Sequence, residues 1–282
     1  HPKEIGPADV QLKNGLIDVL VKNENEAILI AKKYLSYFQG NIKKWECADQ
    51  NELNNIVPEN RKRIFDVRKI ISTLADKKSV LELKKEFGKS IITAFIRIEG
   101  KPLGLIANDA AEMGGAITSD SANKAAHFMN LCNDFNIPIL SLVDTPGIMV
   151  GPEAEKTGTV KHAAKLFTAG AKLNFPILAI VLRRGYGLGA MAMTGGSFHA
   201  TDLIVSWPTG EFGAMGLEGA VKLGYRKELE AVDDPAERNI LYEKLLAESY
   251  RRGEAINMAS FLEIDNVIVP AESRAWVVSG LS

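Results

Sequence analysis

The stretch at residues 175–196, FPILAIVLRRGYGLGAMAMTGG, decides how the rest of the chain is interpreted. Its apolar run at 177–182 has the length and branching of a strand that is buried on both faces of a parallel sheet. A glycine-rich turn follows at 185–189, and small residues that favour a helix come directly after it. Glycines allow positive φ, and a helix begins with unpaired N–H groups at the positive end of its dipole. The stretch therefore predicts a backbone site for a negatively charged oxygen.

Three interpretations of this stretch stay open at the level of the residues alone. Gly187, Gly189 and Ala192 fit the G-x-G-x-x-A form of the dinucleotide fingerprint, but the match lies deep in the chain, and Glu211 comes too late, after Pro208, to be its acid. The glycines could also serve only the tight packing of a strand on a helix. The third interpretation, which the rest of the chain favours, is an oxyanion hole built from backbone N–H groups.

Composition excludes several classes of protein. The chain has 282 residues, of which 46% are hydrophobic and 24% charged, and its formal net charge is −1. The chain has no excess of basic residues, which would indicate a nucleic acid or a membrane surface as a partner. No apolar run approaches the ~20 residues of a membrane span. Cys47 and Cys132 lack metal-ligand or redox spacing. We expect reduced structural thiols in a cytoplasmic α/β protein without a bound metal.

An internal repeat predicts the architecture. The segments NIPILSLV and NFPILAIV begin at 136 and 174, 38 residues apart, and each follows an amphipathic pattern typical of a helix. A predicted hairpin precedes the repeat, and a further strand follows it. Such strand–loop–helix units predict a parallel sheet wound by right-handed crossovers. The ranges are 90–107 for the hairpin, 121–135 and 160–173 for the helices, and 203–207 for the strand.

The two ends of the chain give weaker patterns. Residues 9–12 and 17–21 suggest strands around a turn at Asn14 and Gly15, and the segment 45–63 is polar and irregular like a linker. Asp234 before Pro235 is typical of a helix start. The predicted helices of these regions are 25–38, 66–74, 235–252 and a short one from 271, with a last strand within 263–270.

Two further groups of residues follow predicted strands. Gly114, Gly115 and Ala116 repeat the glycine-then-alanine theme of the 175–196 stretch at the end of an earlier strand, where parallel sheets bind ligands. The run DTPG at 144–147 resembles a GTPase motif, but no phosphate-binding loop precedes it, so we interpret it as a turn. Arg183 and Arg184 fit either a ligand phosphate or a solvated strand end. No histidine has metal-ligand spacing with a partner.

The chain resembles the carboxyltransferase (β) subunit of biotin-dependent acyl-CoA carboxylases of the acetyl-CoA or propionyl-CoA type. The resemblance rests on VDTPGIMVGPEAEKTG at 143–158, on LRRGYGLGAMAMTGGSFHATDLIVSWPTGEFGAMGLEGAV at 182–221 and on YRKEL at 225–229. It implies a ClpP/crotonase-like spiral of ββα units. It also implies that 46–282 is the C-terminal carboxyltransferase domain and that 1–45, beginning HPKEIGPADVQ, is the tail of the N-terminal one.

The resemblance further implies the transfer of CO2 from carboxybiotin, held on a carrier domain, to the α-carbon of an acyl-CoA. The biotin-side backbone donors fall on Gly189 and Ala190 beside Gly187, with a register that Leu188 leaves uncertain by one residue. Gly115 and Ala116 match an earlier turn that contacts the cofactor. The family's decarboxylases stay open as an alternative, as does the dinucleotide-binding domain.

The implied partners are an N-terminal carboxyltransferase half, a biotin carboxylase or biotin carrier subunit, and further copies of the chain in a dimer or hexamer. In the family the acyl-CoA contacts lie mostly in the N-terminal half. We therefore expect the chain to be an enzyme fragment that is inactive alone.

Overall fold

The computed structural model describes residues 5–281. Its centre is an eight-stranded mixed sheet in which spatial order follows chain order, β1-β2-β3-β4-β5-β6-β8, while β7 pairs with β5 beside that path. This arrangement confirms the predicted α/β class. The strands are β1 (Leu81–Leu83), β2 (Ile91–Ile98), β3 (Lys101–Asn108), β4 (Ile139–Thr145), β5 (Ile177–Tyr186), β6 (Leu203–Ser206), β7 (Glu211–Gly213) and β8 (Asn266–Val267).

Helices connect and cover the strands. The helices are α1 (Ala8–Lys13), α2 (Glu24–Ser36), α3 (Val67–Leu74), α4 (Ser119–Asp134), α5 (Pro152–Lys156), α6 (Thr159–Gly170), α7 (Gly187–Met193), α8 (Leu217–Gly224), α9 (Arg226–Glu230), α10 (Pro235–Arg252), α11 (Ala255–Ser260) and α12 (Ser273–Gly280). The longer ones begin where capping chemistry predicts. The Asp234 carboxylate accepts the Ala236 N–H at 3.1 Å, so α10 starts at Pro235 as expected.

The sheet separates two apolar layers. β2 and β3 form the predicted antiparallel hairpin, whereas β3, β4, β5 and β6 are parallel. Alternating β2 residues, Ile92 and Ile96 among them, enter a layer with Trp207, while Ile91 and Phe95 enter the opposite layer with α4. Because both faces are covered, the strand sequences are mostly apolar rather than alternating regularly with polar residues.

The N-terminal segment differs from the predicted pair of strands. Residues 1–4 lie outside the described residues. Residues 9–12 belong to α1, and 17–21 form no ladder. Pro7 at the N-cap position suits a helix start, and Gly15, with a φ of +80°, follows the helix end. The same Asn-Gly pair that suggests a hairpin here terminates a helix.

Residues 45–63 are packed rather than free, so their interpretation as a linker is wrong. A 3₁₀ turn at Gln50–Asn55 carries Leu53, which is 0% exposed, and the Gln50 amide donates to the Thr73 carbonyl at 2.7 Å. On the other side, the Tyr37 ring stacks on Phe95 at 5.3 Å. Residues on both sides of position 45/46 thus contact the same sheet. The division of the chain into two domains at this position stays a prediction.

Gly104 in β3 shows how closely α4 approaches the sheet. A Cβ at this position would overlap the Cys132 sulfur and lie 3.2 Å from a Phe128 ring carbon. Cys132 is fully buried, and burial raises the pKa of its thiol above the usual range. The thiol therefore packs as a small apolar group.

Gly170 and Gly224 give a matched pair of substitutions, because each is the last residue of a helix, α6 and α8 respectively. A Cβ at Gly170 would lie 2.6 Å from the Gly195 Cα, whereas a Cβ at Gly224 would meet nothing within 4 Å. Gly170→Ala should lower the free energy of unfolding by about 1–3 kcal/mol through overpacking. Gly224→Ala should leave it unchanged or raise it by up to ~1 kcal/mol.

Urea unfolding followed by circular dichroism measures both variants. Equal midpoints for the two variants would contradict the close packing of α6 on the backbone that follows α7.

Candidate active site

The carboxyl ends of β3, β4 and β5 meet at one edge of the sheet, because these strands are parallel and adjacent. Three turns gather there: the 3₁₀ turn Met113–Gly115, the segment 146–148 after β4, and the start of α7 after β5. An isolated bridge between Ile117 and Ile148 ties the first turn to the second. Both glycine turns predicted from the sequence thus lie at the same edge.

The start of α7 has the backbone that the sequence predicts. Gly187 has a φ of +56°, and a Cβ there would lie 2.5 Å from the Ala214 carbonyl oxygen. A Cβ at Gly189 would lie 2.6 Å from the Gly147 Cα and 3.0 Å from the Ile148 N. Only glycine fits either position without moving the neighbouring backbone. The two glycines therefore allow the backbone of the turn to pack directly against the backbone of neighbouring segments.

The first residues of α7 are Gly187, Leu188 and Gly189, whose N–H groups have no carbonyl partner within the helix. Leu188 is 61% exposed, whereas Gly189 and Ala190 are buried. Ala190 is the fourth helical residue, the position at which an N–H ordinarily bonds to the N-cap carbonyl, here Tyr186. The N–H of Gly187 follows Tyr186, which pairs with Gly213 in the ladder of β5 with β7, so the candidate donors for a ligand are those of Leu188 and Gly189.

Gly115 and Ala116 lie beside the β4 turn, but their N–H groups are already bonded. Gly115 donates to the Glu112 carbonyl at 2.9 Å, and Ala116 donates to the Met113 carbonyl at 3.2 Å. Gly115 has a φ of +79°, and a Cβ there would lie 2.5 Å from the Asp144 carbonyl oxygen. Any contact of these two residues with a ligand would have to use their surfaces rather than their N–H groups.

A buried ion cluster at the strand ends was not recognised in the sequence. The Asp144 side chain is 1% exposed. It accepts from Arg183 Nη2 at 2.9 Å and from Arg184 Nε at 2.7 Å, and Oδ1 also accepts the Arg184 backbone N–H at 3.0 Å. Asp144 is therefore the counter-ion of two adjacent arginines rather than part of a simple turn. Neither interpretation of the arginine pair, a ligand phosphate or a solvated strand end, describes this arrangement.

The charges in this cluster stabilise one another. Burial alone would raise the pKa of Asp144, but the hydrogen bonds and charges of Arg184 and Arg183 outweigh it and hold that pKa below its usual range. Burial likewise opposes the charge of Arg184, yet the Asp144 carboxylate raises the net pKa of that guanidinium. Asp144 and Arg184 therefore each favour the ionised form of the other.

The two arginines also fix the surrounding loops. Arg184 Nη2 donates to the Gly114 carbonyl at 2.9 Å, which attaches the first glycine turn to β5. Arg183 Nη1 donates to the Arg61 and Arg63 carbonyls at 3.1 and 2.7 Å. One feature of the sequence could have revealed the ion cluster. An aspartate lies at the end of the first repeated strand, and two arginines lie at the same end of the second.

A polar cleft of about 1310 Å³ opens at this edge, and Gly114, Pro146 and Tyr186 line its end near the glycine turns. The Tyr186 hydroxyl donates to Glu211 Oε2 at 2.9 Å, and Arg61 forms an ion pair with the same carboxylate. Burial raises the pKa of Glu211, and the bond from Tyr186 and the charge of Arg61 only partly offset it.

A second, apolar pocket of about 460 Å³ starts at the same turn. Gly185 and Gly187 form one wall, and the rim carries Arg252 and Glu263. The apolar lining consists of Met191, Phe198, Phe212, Ala214, Leu217 and Met258. The start of α7 therefore lies between a polar cleft and an apolar pocket.

Two of the histidines have ordinary polar partners. His162 Nδ1 is 2.9 Å from Asn123 Oδ1, and His199 Nε2 is 3.3 Å from Glu263. Within residues 5–281, no three His, Cys, Asp or Glu side chains come together as metal ligands would. Over the same residues, no helix has both the length and the apolar character needed to cross a membrane.

Comparison with known proteins gives a consistent set of matches. A family model described as the carboxyl transferase domain matches residues 3–282. The 12S subunit of methylmalonyl-CoA carboxyltransferase from Propionibacterium freudenreichii subsp. shermanii is 34% identical over 99% of this chain and 54% of its own length. The chain thus spans about half the length of the curated relatives it matches.

Two solved structures share the fold. A single-chain, multi-domain long-chain acyl-CoA carboxylase superposes with a TM-score of 0.92 and 48% identity, covering 100% of this chain and 28% of its own. The transcarboxylase 12S hexamer, with methylmalonyl-CoA bound, gives 0.90 and 32% identity over 99% of this chain and 55% of its own. These matches confirm the crotonase-like fold and the resemblance seen in the sequence. A sheet in chain order also lacks the reversal of strand order at which dinucleotides bind.

Asp144→Asn should destabilise the protein by about 3–5 kcal/mol at neutral pH, because it leaves Arg183 and Arg184 buried without a counter-charge. The pKa of Asp144 is lowered in the folded state, so its stabilisation is present above the unfolded pKa of about 4 and is lost as pH falls through the folded value. The difference between wild type and variant should therefore shrink below about pH 4.

Asp202→Asn is the matched control, since Asp202 accepts only the Ile177 N–H, at 2.9 Å, at the other end of β5. It should change stability by about 1 kcal/mol or less, because asparagine still accepts that bond. Denaturant unfolding at pH 7 and pH 3.5 gives both comparisons. An Asp144→Asn variant with the same free energy of unfolding as wild type at pH 7 would contradict a buried ion cluster.

Proposed function

Because the chain belongs to the carboxyl transferase domain family, we propose that it forms the biotin-side half of a biotin-dependent acyl-CoA carboxyltransferase. The enzyme would transfer CO2 from carboxybiotin to the α-carbon of a short acyl-CoA, with propionyl-CoA as the first substrate to test. The observation that carries this proposal is the start of α7, where a strand turns into a helix through two glycines and the first N–H groups have no partner within the helix.

The site fits the ureido ring of biotin. Glycine at 187 and 189 lets the backbones of Ala214 and Gly147 pack against the turn, and positive φ at Gly187 turns the strand directly into the helix. An uncharged ring that develops negative charge on one oxygen suits backbone donors better than a fixed cation. When bound, carboxybiotin supplies both the CO2 and the base that removes the α-proton.

The role of this chain's residues is therefore electrostatic. Backbone N–H groups at the start of α7 stabilise the ureido oxygen as negative charge develops there, and the positive end of the helix dipole acts in the same direction. The Asp144 cluster keeps the two glycine turns in place. No side chain has to transfer a proton.

Gly189 is the donor common to both possible registers of the resemblance. The motif assigns the second donor to Ala190, whereas the exposure of Leu188 and the burial of Ala190 favour Leu188. Proline variants separate the two, since proline removes the N–H but fits the first turn of a helix. Leu188→Pro should keep the fold, and its loss of transfer, with an active Leu188→Ala, would assign the donor to Leu188.

We propose further that the active enzyme combines this half with an N-terminal carboxyltransferase half, a biotin carrier and a biotin carboxylase component. Further copies would complete a dimer or hexamer. The bound methylmalonyl-CoA and the hexamer belong to the transcarboxylase structure, and they support this assembly by similarity only. The segment 5–281 would on this proposal be inactive in isolation, as expected from the sequence.

In the full-length enzyme, Gly189→Val should displace the donor turn and lower transfer from methylmalonyl-CoA to free biotin by about 10²–10³, as large an effect as the loss of one oxyanion donor. The added side chain also overlaps the backbone of Gly147. Gly224→Val, at an open helix end, should retain activity. His127→Ala, His162→Ala and His199→Ala should each retain most of the activity, since none is assigned a role.

The assay is the disappearance of methylmalonyl-CoA with folding checked by circular dichroism. A folded histidine variant that loses a hundredfold, beside an active Gly189→Val, would overturn the oxyanion assignment.

The apolar pocket favours a second candidate, a carboxyltransferase for longer acyl chains. Its volume of about 460 Å³ lies in the range of small-molecule sites, and its wall begins at Gly187. The chain is also 48% identical to a long-chain acyl-CoA carboxylase, against 32% to the 12S transcarboxylase. An acyl chain in this pocket would run along α7 from the donor turn.

The two candidates differ in their acyl-CoA profile. If the pocket binds the chain, kcat/KM of the full-length enzyme should rise from propionyl-CoA to octanoyl- and palmitoyl-CoA. Ala214→Phe, which fills the pocket, should then lower kcat/KM for the long substrates by roughly 10- to 200-fold and leave propionyl-CoA turnover intact. Met215→Phe, adjacent but outside the lining, is the control. A profile that falls with chain length would exclude the second candidate.

A further inference from the structure

Glu211 is a buried carboxylate beside the donor turn that the proposed chemistry does not use. It is 7% exposed and lies on β7, which pairs with β5 so that Arg184, Gly185 and Tyr186 face 211–213. Buried carboxylates are rare without a structural or functional reason. Its two oxygens have separate partners, Tyr186 on one side and Arg61 on the other.

Tyr186 connects Glu211 to the donor turn. It is the last residue of β5 and the N-cap of α7, so its position fixes where Gly187 and the following N–H groups begin. Its side chain is 4% exposed, and its hydroxyl donates to Glu211 Oε2 at 2.9 Å. Burial, followed by the charge of Glu211, raises the pKa of Tyr186, so the hydroxyl keeps its proton and remains a donor.

Glu211 is itself held from several sides. Arg61, on the loop that Arg183 attaches to the strand ends, pairs with Oε1 and lies 3.9 Å over the Tyr250 ring. The backbone next to Glu211 is bonded as well, because Phe212 N–H donates to the Gly253 carbonyl at 2.8 Å. The carboxylate therefore has a fixed position from which to hold the Tyr186 hydroxyl.

We propose that Glu211 is a positioning residue, which acts through the Tyr186 hydroxyl to set the orientation of the N–H groups at 188 and 189. Strand pairing fixes the path of β5 up to Tyr186, and Gly187, with its positive φ, has no side chain to anchor it. The bond from Tyr186 to Glu211 supplies the anchor at the point where the strand becomes the helix. The kinetic part of this inference rests on the proposed carboxyl transfer.

Tyr186→Phe and Glu211→Ala in the full-length enzyme should each lower kcat for carboxyl transfer by roughly 10- to 100-fold with little change in KM, because small misplacements of catalytic groups cost that much. Glu211→Gln should restore kcat to within about threefold, because its amide oxygen still accepts the hydroxyl. The double variant Tyr186→Phe/Glu211→Ala should be no slower than Glu211→Ala, as expected for two residues that act through one bond.

Tyr37→Phe is the matched control. Tyr37 is also a buried tyrosine with one hydroxyl bond, to the Ser79 carbonyl, far from the donor turn. It should lose stability like Tyr186→Phe but keep kcat. A purely structural role of Glu211 would give the same pattern in both tyrosine variants, with lower stability and unchanged kcat, and would overturn the inference.

Hydrogen exchange separates this inference from the proposed function. Peptides covering 186–194 should exchange at least about tenfold faster in Tyr186→Phe and Glu211→Ala than in Glu211→Gln or Tyr37→Phe, because α7 loses its anchor. A wild-type enzyme without carboxyl transfer would refute the proposed function, and the exchange comparison would still decide the positioning role. Unchanged exchange in both anchor variants would refute that role even if the enzyme is active.

Discussion

The ion cluster of Asp144 with Arg183 and Arg184 is the constraint on which the site depends. A carboxylate buried at the end of β4 requires cationic partners, since an isolated buried charge would cost several kcal/mol. The two arginines follow each other on β5, so their side chains leave the strand on opposite faces and yet converge on one residue. The sheet shows a register irregularity between Val143 and Thr145 at this point. The cluster thus sets the relative height of the two strand ends.

Once the strand ends are fixed, the neighbouring backbones approach one another without side chains between them. Gly115 abuts the Asp144 carbonyl, Gly187 the Ala214 carbonyl and Gly189 the Gly147 backbone. Each contact replaces side-chain packing by backbone packing, and the start of α7 at Tyr186 and Gly187 lies between a polar cleft and an apolar pocket. The two arginines also bond the carbonyls of Gly114, Arg61 and Arg63 in the loops around the site.

Sequence patterns predicted the elements whose signal is local. The repeat at 136 and 174 gave β4, β5 and their preceding helices, and Asp234 with Pro235 gave the start of α10. The donor turn was also local, being a strand, glycines and a helix in one stretch. Asp144, Glu211 and Tyr186 could not be assigned, because their partners lie 39 and 25 residues away, and their roles appear only when the strands are adjacent. At the N-terminus the Asn-Gly pair was misleading, since a positive-φ glycine ends helices as readily as it turns hairpins.

The contact between Gly104 and Cys132 has a consequence for the chemistry of the chain. Thiolates react and thiols do not, and the raised pKa of Cys132 together with its burial suppresses the thiolate. Cys47 is partly exposed, so of the two thiols only that of Cys47 is accessible to an alkylating reagent in the folded protein. Modification of Cys132 requires α4 to separate from β3, so the rate at which Cys132 is labelled measures how often the helix and the sheet separate. Cys132, whose role in the fold is packing, can therefore report the frequency of local opening in the core.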